Sequence, residues 1–193
     1  MKAIMLFFAA ILLAFVVTGC SDSAMPPTSN TGADMEISGE TGADLENMQA
    51  ASANNRNFRA HLNVAQEIPE PSSFERNPQG QATFQLSRDG TELRYKLIVA
   101  NIENVRMAHI HLGQVGQTGG IVVWLYPEGP PFQLIPGRFD GVLAEGVITS
   151  DNLAGDLSDA SLDDLIDEIR AGNTYVNVHT EQNPPGEIRG QIF

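Results

Sequence analysis

Three of the four histidines in the chain fall in two short segments that together have the chemistry of a metal site. His109 and His111 are separated by one residue, and His179 follows much later in the chain. On a β-strand, His109 and His111 point to the same face, about 6–7 Å apart. Imidazole nitrogens suit copper and zinc, and Glu187 is a candidate fourth ligand. If the two segments pair, we expect a copper or zinc site at these residues. Its affinity should fall below about pH 6, because ligand imidazoles must be neutral.

The same histidines also fit a structural role without a metal. Strand histidines can donate a ring N–H to backbone carbonyls or carboxylates and so hold a sheet together. Asn177, Glu187 and Arg189 have the chemistry to join such a polar cluster, with Glu187 and Arg189 as an ion pair. The residues leave both interpretations open.

A His-x-His pair on one strand, with a third histidine near a C-terminal glycine-rich strand, resembles the copper half of copper–zinc superoxide dismutase. The bridging histidine, the zinc ligands and the disulfide pair of that family have no counterpart in this sequence. The resemblance supports copper or zinc as the candidate cofactor, and it leaves superoxide-dismutase-like redox chemistry as an alternative function.

Other catalytic patterns are missing from the sequence. There is no Gly-x-Ser-x-Gly motif, and the chain has no cysteine after Cys20. The glycine-rich stretch 113–120 lacks the spacing and the Lys-Ser/Thr of a phosphate-binding loop. We therefore expect a non-enzymatic binding or structural module.

Alternating apolar and polar residues predict the strands that position the histidines. Period-2 segments lie at residues 58–64, 81–87, 93–99, 108–113, 141–149, 175–179 and 187–192. The apolar run 121–126 is typical of a strand buried on both faces. Asp89-Gly90 predicts a hairpin between the second and third strands.

One helix is predicted near residues 161–171. Ser161 can cap it, with Asp164 three residues later, and Gly172 can end it. An apolar stripe with helical spacing follows the cap, formed by Leu162, Leu165, Ile166 and Ile169. Many short strands and one helix predict an all-β fold, an antiparallel Greek-key sandwich or barrel.

Several motifs together point to one family. They are Ala108-His-Ile-His-Leu-Gly113, Gly120-Ile-Val-Val-Trp-Leu125, Tyr175-Val-Asn-Val-His-Thr180, Asn183-Pro-Pro-Gly-Glu-Ile-Arg-Gly-Gln191 and the shorter Gln66-Glu-Ile-Pro69. They resemble the CHRD domain, which is repeated in chordin and occurs singly in many secreted bacterial proteins. The resemblance covers residues 58–193 and implies an all-β fold similar to immunoglobulin-like domains. It implies no defined biochemical activity.

The N-terminus predicts export and a lipid anchor. Lys2 and the short apolar run from Ile4 to Val17 have the form of a signal peptide, over residues 1–19. Val17-Thr-Gly-Cys20 resembles a bacterial lipobox, which implies cleavage before Cys20 and acylation of that cysteine by chains such as palmitate. Ser21 then implies sorting to the outer membrane. The alternative is an ordinary secretory cleavage site beside an unpaired cysteine.

Residues 20–57 are predicted to be the lipidated cysteine and a disordered acidic linker, because few of them are bulky and apolar. Loss of residues 1–19 removes Lys2, so the net charge goes from −13 to −14. Such acidity argues against nucleic-acid binding. The expected partners are the membrane, through the anchor, and an unidentified protein of the envelope or the extracellular space.

Overall fold

The computed structural model describes residues 55–71 and 76–193. The predicted signal peptide, Cys20 and linker residues 20–54 lie outside this part of the chain. Within the described residues, no helix has both the length and the hydrophobicity needed to cross a bilayer.

Within residues 55–71 and 76–193 the chain forms seven strands and one α-helix. They are β1 (Asn57–Asn63), β2 (Gln79–Leu86), β3 (Leu93–Leu112), β4 (Ile121–Tyr126), β5 (Ile135–Ile148), α1 (Leu162–Arg170), β6 (Thr174–Thr180) and β7 (Ile188–Gln191). Short 3₁₀ helices lie at Val64–Gln66, Ser150–Asn152 and Gly155–Leu157.

Five antiparallel strands close into a barrel. The strands lie side by side in the order β2-β1-β7-β6-β3, and β3 pairs again with β2. β4 and β5 are added to this barrel through β3. The all-β antiparallel prediction with one short helix is therefore confirmed.

β3 is the strand that the other elements share. Its first half pairs with β2 and β5, and its second half pairs with β4 and β6. The sequence predicted two strands here, 93–99 and 108–113, and that division is wrong. Asn101 and Asn104 lie between the two segments with φ of 58° and 52°. The ladder with β5 shifts register at the same place, so β3 deforms there without ending.

The barrel interior is filled by the apolar positions of the alternating strands. Along β2, every second residue is buried and the others are exposed, as expected for a sheet with one face in water. The hairpin before β3 has Gly90 at φ 77°, a conformation that glycine adopts without strain.

The helix α1 begins where its cap was predicted. Ser161 accepts from the amide of Asp164, and the Asp164 carboxylate accepts from the amide of Ser161. Its apolar stripe, Leu162, Leu165, Ile166 and Ile169, belongs to the same buried cluster as the strands. Burial of this stripe stabilises a helix that is too short to be stable alone.

Candidate metal centre

The pairing of β3 with β6 brings the three histidines to one face of the barrel. His109 lies opposite Asn177, and His111 lies opposite Tyr175. The alternate residues Ala108, Ile110, Val176 and Val178 are fully buried in the core. Because side chains alternate across a strand, the histidines must therefore occupy the outer face of the barrel wall.

This part of the outer face is covered by loops. All residues of β6 and β7 are buried, although only one face of each strand contacts the core. The connection between β3 and β4 covers His111, and the turn between β6 and β7 covers His179. His109, His111 and His179 are 0%, 7% and 5% exposed. Alternation of apolar and polar residues in β6 would by itself suggest one exposed face, and the loops remove that exposure.

The three imidazole rings converge. One ligand nitrogen from each ring lies within 4.8 Å of those of the other two. The ring centroids of His109 and His111 are 5.5 Å apart, and His179 is 5.0 Å and 5.7 Å from them. Two predicted segments far apart in sequence therefore form one cluster of nitrogen donors.

Hydrogen bonds determine the tautomer of each ring. His111 Nδ1 is 3.0 Å from the Gly119 carbonyl oxygen, and His179 Nδ1 is 2.9 Å from that of Pro184. A carbonyl can only accept, so both Nδ1 atoms carry the proton and both Nε2 atoms carry a lone pair. His109 Nδ1–H then donates to His179 Nε2 over 3.1 Å.

Because Nδ1 of His109 carries the proton, its Nε2 also has a lone pair, and two of the three Nε2 lone pairs are buried without a partner. Neither His109 Nε2 nor His111 Nε2 has a hydrogen-bond partner. An unpaired buried acceptor is costly, so it requires an explanation such as a bound ion. Metal-bound histidines typically donate their other ring N–H to a carbonyl, as His111 and His179 do here.

Burial keeps the three histidines neutral. Desolvation, together with the neighbouring His179 and His111, lowers the pKa of His109 to about 3. Desolvation likewise lowers the pKa of His179 to about 4, and it lowers the pKa of His111. For His109 and His179, protonation therefore competes with a metal only well below the pH 6 expected for ordinary histidines.

Aromatic neighbours fix the orientation of the rings. His111 stacks on Tyr175 with 4.9 Å between centroids and 8° between planes, and the Arg189 guanidinium carbon lies 3.4 Å from the centre of Tyr175. Trp124 meets His109 edge-on at 4.3 Å. Rings held in this way are preorganised to bind a ligand.

Glu187 does not belong to the group of converging donors. Among the described residues, the donors that lie within 4.8 Å of one another are His109, His111 and His179. Glu187 is fully buried and forms an ion pair with Arg76, with 3.2 Å between Oε1 and Nη2. Its predicted ion-pair partner Arg189 instead donates to the Gln114 carbonyl and stacks on Tyr175.

A second polar cluster adjoins the histidines and includes Glu67, which the sequence reasoning did not select. Asn177 Nδ2 donates to Glu67 Oε1 over 3.3 Å and also approaches the Pro185 carbonyl. Burial raises the pKa of Glu67 to about 7, although Arg189 and the amide of Ile68 act in the opposite direction. The Gln66-Glu-Ile-Pro69 motif was the signal for this residue.

The chain matches a known protein family. The family model described as the CHRD domain matches residues 58–192. No curated protein and no solved structure matches the chain.

Proposed function

The chain belongs to the CHRD domain family, and on that premise we propose that it is a lipid-anchored, extracytoplasmic module. Its buried histidine cluster binds one transition-metal ion, copper or zinc, and it performs no catalysis. The observation that carries the metal proposal is the convergence of three neutral imidazoles, two of which have a buried Nε2 atom without a hydrogen-bond partner.

The distances in the cluster fit such an ion after a small adjustment. Two nitrogens bound to one ion at about 2.0–2.1 Å each are about 3–4 Å apart. The 3.1 Å between His109 Nδ1 and His179 Nε2 is already in this range. Nitrogens as far apart as 4.8 Å must approach each other by about 1 Å. The ion would also replace the proton that His109 shares with His179.

The second candidate role is a purely structural one, in a binding or envelope module. His111 and His179 donate to the carbonyls of Gly119 and Pro184. These hydrogen bonds hold the β3–β4 connection and the β6–β7 turn against the barrel wall. This role needs no ion, and it leaves the unpaired Nε2 atoms of His109 and His111 unexplained.

A metal titration separates the two roles. Protein beginning at residue 20 and carrying Cys20→Ser would be titrated with Cu(II) and Zn(II) by calorimetry, so that no thiol competes. We expect one equivalent to bind, with binding lost in His109→Ala and in His179→Ala. His61, an exposed histidine on β1, provides the control His61→Ala. Wild-type protein that binds nothing above the background of both variants would contradict the metal proposal.

The anchor is tested separately. The lipobox-like Val17-Thr-Gly-Cys20 supports acylation of Cys20, and more than one acyl chain gives stable membrane attachment. The full-length protein expressed in a bacterium should enter the detergent phase and incorporate labelled palmitate, and Cys20→Ser should do neither. Equal behaviour of the two proteins would rule out the anchor and leave the histidine cluster unaffected.

A further inference from the structure

We propose that Met107 is the fourth ligand of the histidine cluster and that it makes the site selective for Cu(I). This inference rests on the proposed metal binding. It names a residue that the sequence reasoning did not consider, and it narrows the choice between copper and zinc.

The strand register places Met107 at the cluster. Met107 lies directly opposite His179 in the β3–β6 ladder and two residues before His109. Directly opposite residues have Cβ atoms about 4.5–5.5 Å apart on the same face of the sheet. The unbranched methionine side chain, with its three rotatable bonds, can therefore bring its sulfur to an ion at His179.

Strand alternation places Met107 on the outer face beside His109, and the register shift next to it allows Val105 to face the core. The β3–β6 ladder shifts between Val105 and Met107. Ala108 is fully buried in the core, so its neighbours Met107 and His109 lie on the outer side. Irregularities of this kind re-aim side chains and are frequent beside functional sites.

Met107 has no evident packing role. It belongs neither to the buried core nor to the partly buried apolar side chains packed against that core. It is partly exposed, whereas His109, His111 and His179 are all buried. Met107 is therefore the one member of the four that solvent reaches directly.

The chemistry of the four donors favours a soft ion of low charge. A thioether is a soft ligand suited to Cu(I), whereas zinc sites are built from imidazole, thiolate and carboxylate groups. Neither the thioether nor the neutral imidazoles compensate the charge of a bound ion, and burial penalises a divalent cation more than a monovalent one. The guanidinium groups of Arg106 and Arg189 add positive charge near His179 and His111.

The test compares Cu(I) with Zn(II). Protein beginning at residue 20 with Cys20→Ser would compete against a Cu(I) chelator under anaerobic conditions, and against a Zn(II) indicator in parallel. In Met107→Leu we expect the Cu(I) affinity to fall about tenfold or more and the Zn(II) affinity to change less than about threefold. Met48, which precedes the matched family region, supplies the control Met48→Leu.

Methionine methyl NMR gives a second readout that does not depend on the variant being folded. The protein used has four methionines, Met25, Met35, Met48 and Met107. Addition of Cu(I) should shift the Met107 signal and leave the other three in place. If Met107→Leu keeps the Cu(I) affinity, or if the Met107 signal does not move, Met107 is not a ligand. Metal binding that is unchanged in His109→Ala would instead refute the metal site itself.

Discussion

The imidazole rings of His109 and His179 meet across two neighbouring strands, with Nδ1 of the first 3.1 Å from Nε2 of the second. The two residues are 70 positions apart in sequence. Their contact exists only because β6 returns to pair with the second half of β3. Each ring nitrogen in this pair is both a hydrogen-bonding atom of the metal-free protein and a candidate ligand.

Removal of either ring should destabilise the metal-free protein. His109→Ala leaves His179 Nε2 buried without its donor, which costs about 1–3 kcal/mol. Denaturant unfolding in the presence of a chelator measures the change. The exposed His61, replaced in His61→Ala, should alter the stability by less than about 0.5 kcal/mol. A His109→Ala protein as stable as His61→Ala would show that the hydrogen bond contributes nothing.

Copper binding should quench the fluorescence of Trp124. This residue is the single tryptophan of the chain, and its ring centroid lies 4.3 Å from that of His109. Paramagnetic Cu(II) quenches an indole at such a distance, whereas Zn(II) does not. The emission should fall with one equivalent of Cu(II), recover with a chelator and stay constant in His179→Ala. Quenching that persists in His179→Ala would place the copper elsewhere.

The stability of the metal-free protein should rise with pH between about 3 and 6.5. An unfolded histidine has a pKa of about 6.5, whereas the folded values are about 3 for His109 and about 4 for His179. Between these limits the unfolded state binds more protons than the folded state. Each of the two histidines therefore adds up to about 1.4 kcal/mol per pH unit to the rise in the free energy of unfolding. Denaturant unfolding at several pH values measures the slope, which His109→Ala should reduce.

Titration of Glu67 should have the opposite effect, lowering the free energy of unfolding as the pH rises. Its pKa is raised from 4.5 to about 7, so the unfolded state releases its proton first. Its contribution to stability is therefore full below about pH 4.5 and is lost as the pH rises to about 7. Glu67→Gln should remove this loss and make the curve steeper below pH 6.5. An unchanged curve would mean that Glu67 titrates normally in the folded protein.

A side chain at position 186 should disrupt the cluster of Glu67 and Asn177. A Cβ added to Gly186 would lie 2.3 Å from Glu67 Oε2 and 2.5 Å from Asn177 Nδ2. Gly186→Ala should cost about 2 kcal/mol or more through this overlap. Gly129, which has open space around it, supplies the control Gly129→Ala, with an effect below about 1 kcal/mol. Similar unfolding midpoints for both variants would contradict the close packing.

Local signals in the sequence were enough for the short elements and for the three histidines. Asp89-Gly90 gave the hairpin, and Ser161 with Asp164 gave the helix start. The periodicity around His109 and His179 placed both on strands, and their convergence was expected if those strands pair. The hairpin, the helix start and the strands that carry the histidines are each specified by residues close together in sequence.

Features that depend on distant partners were not predictable. The continuity of β3 through Asn101 and Asn104 is imposed by β5, because both asparagines adopt positive φ and would otherwise suggest a break. The complete burial of β6 results from loops that cover its outer face. Glu187 pairs with Arg76, which lies 111 residues away, and no local pattern connects the two.

Because β3 is shared by β2, β4, β5 and β6, none of these strands can separate from it without loss of a ladder in the common wall. Such a shared strand makes the domain open as a single cooperative unit. The amides of His109 and His111 should therefore exchange with solvent deuterium only through global unfolding, among the slowest in the protein.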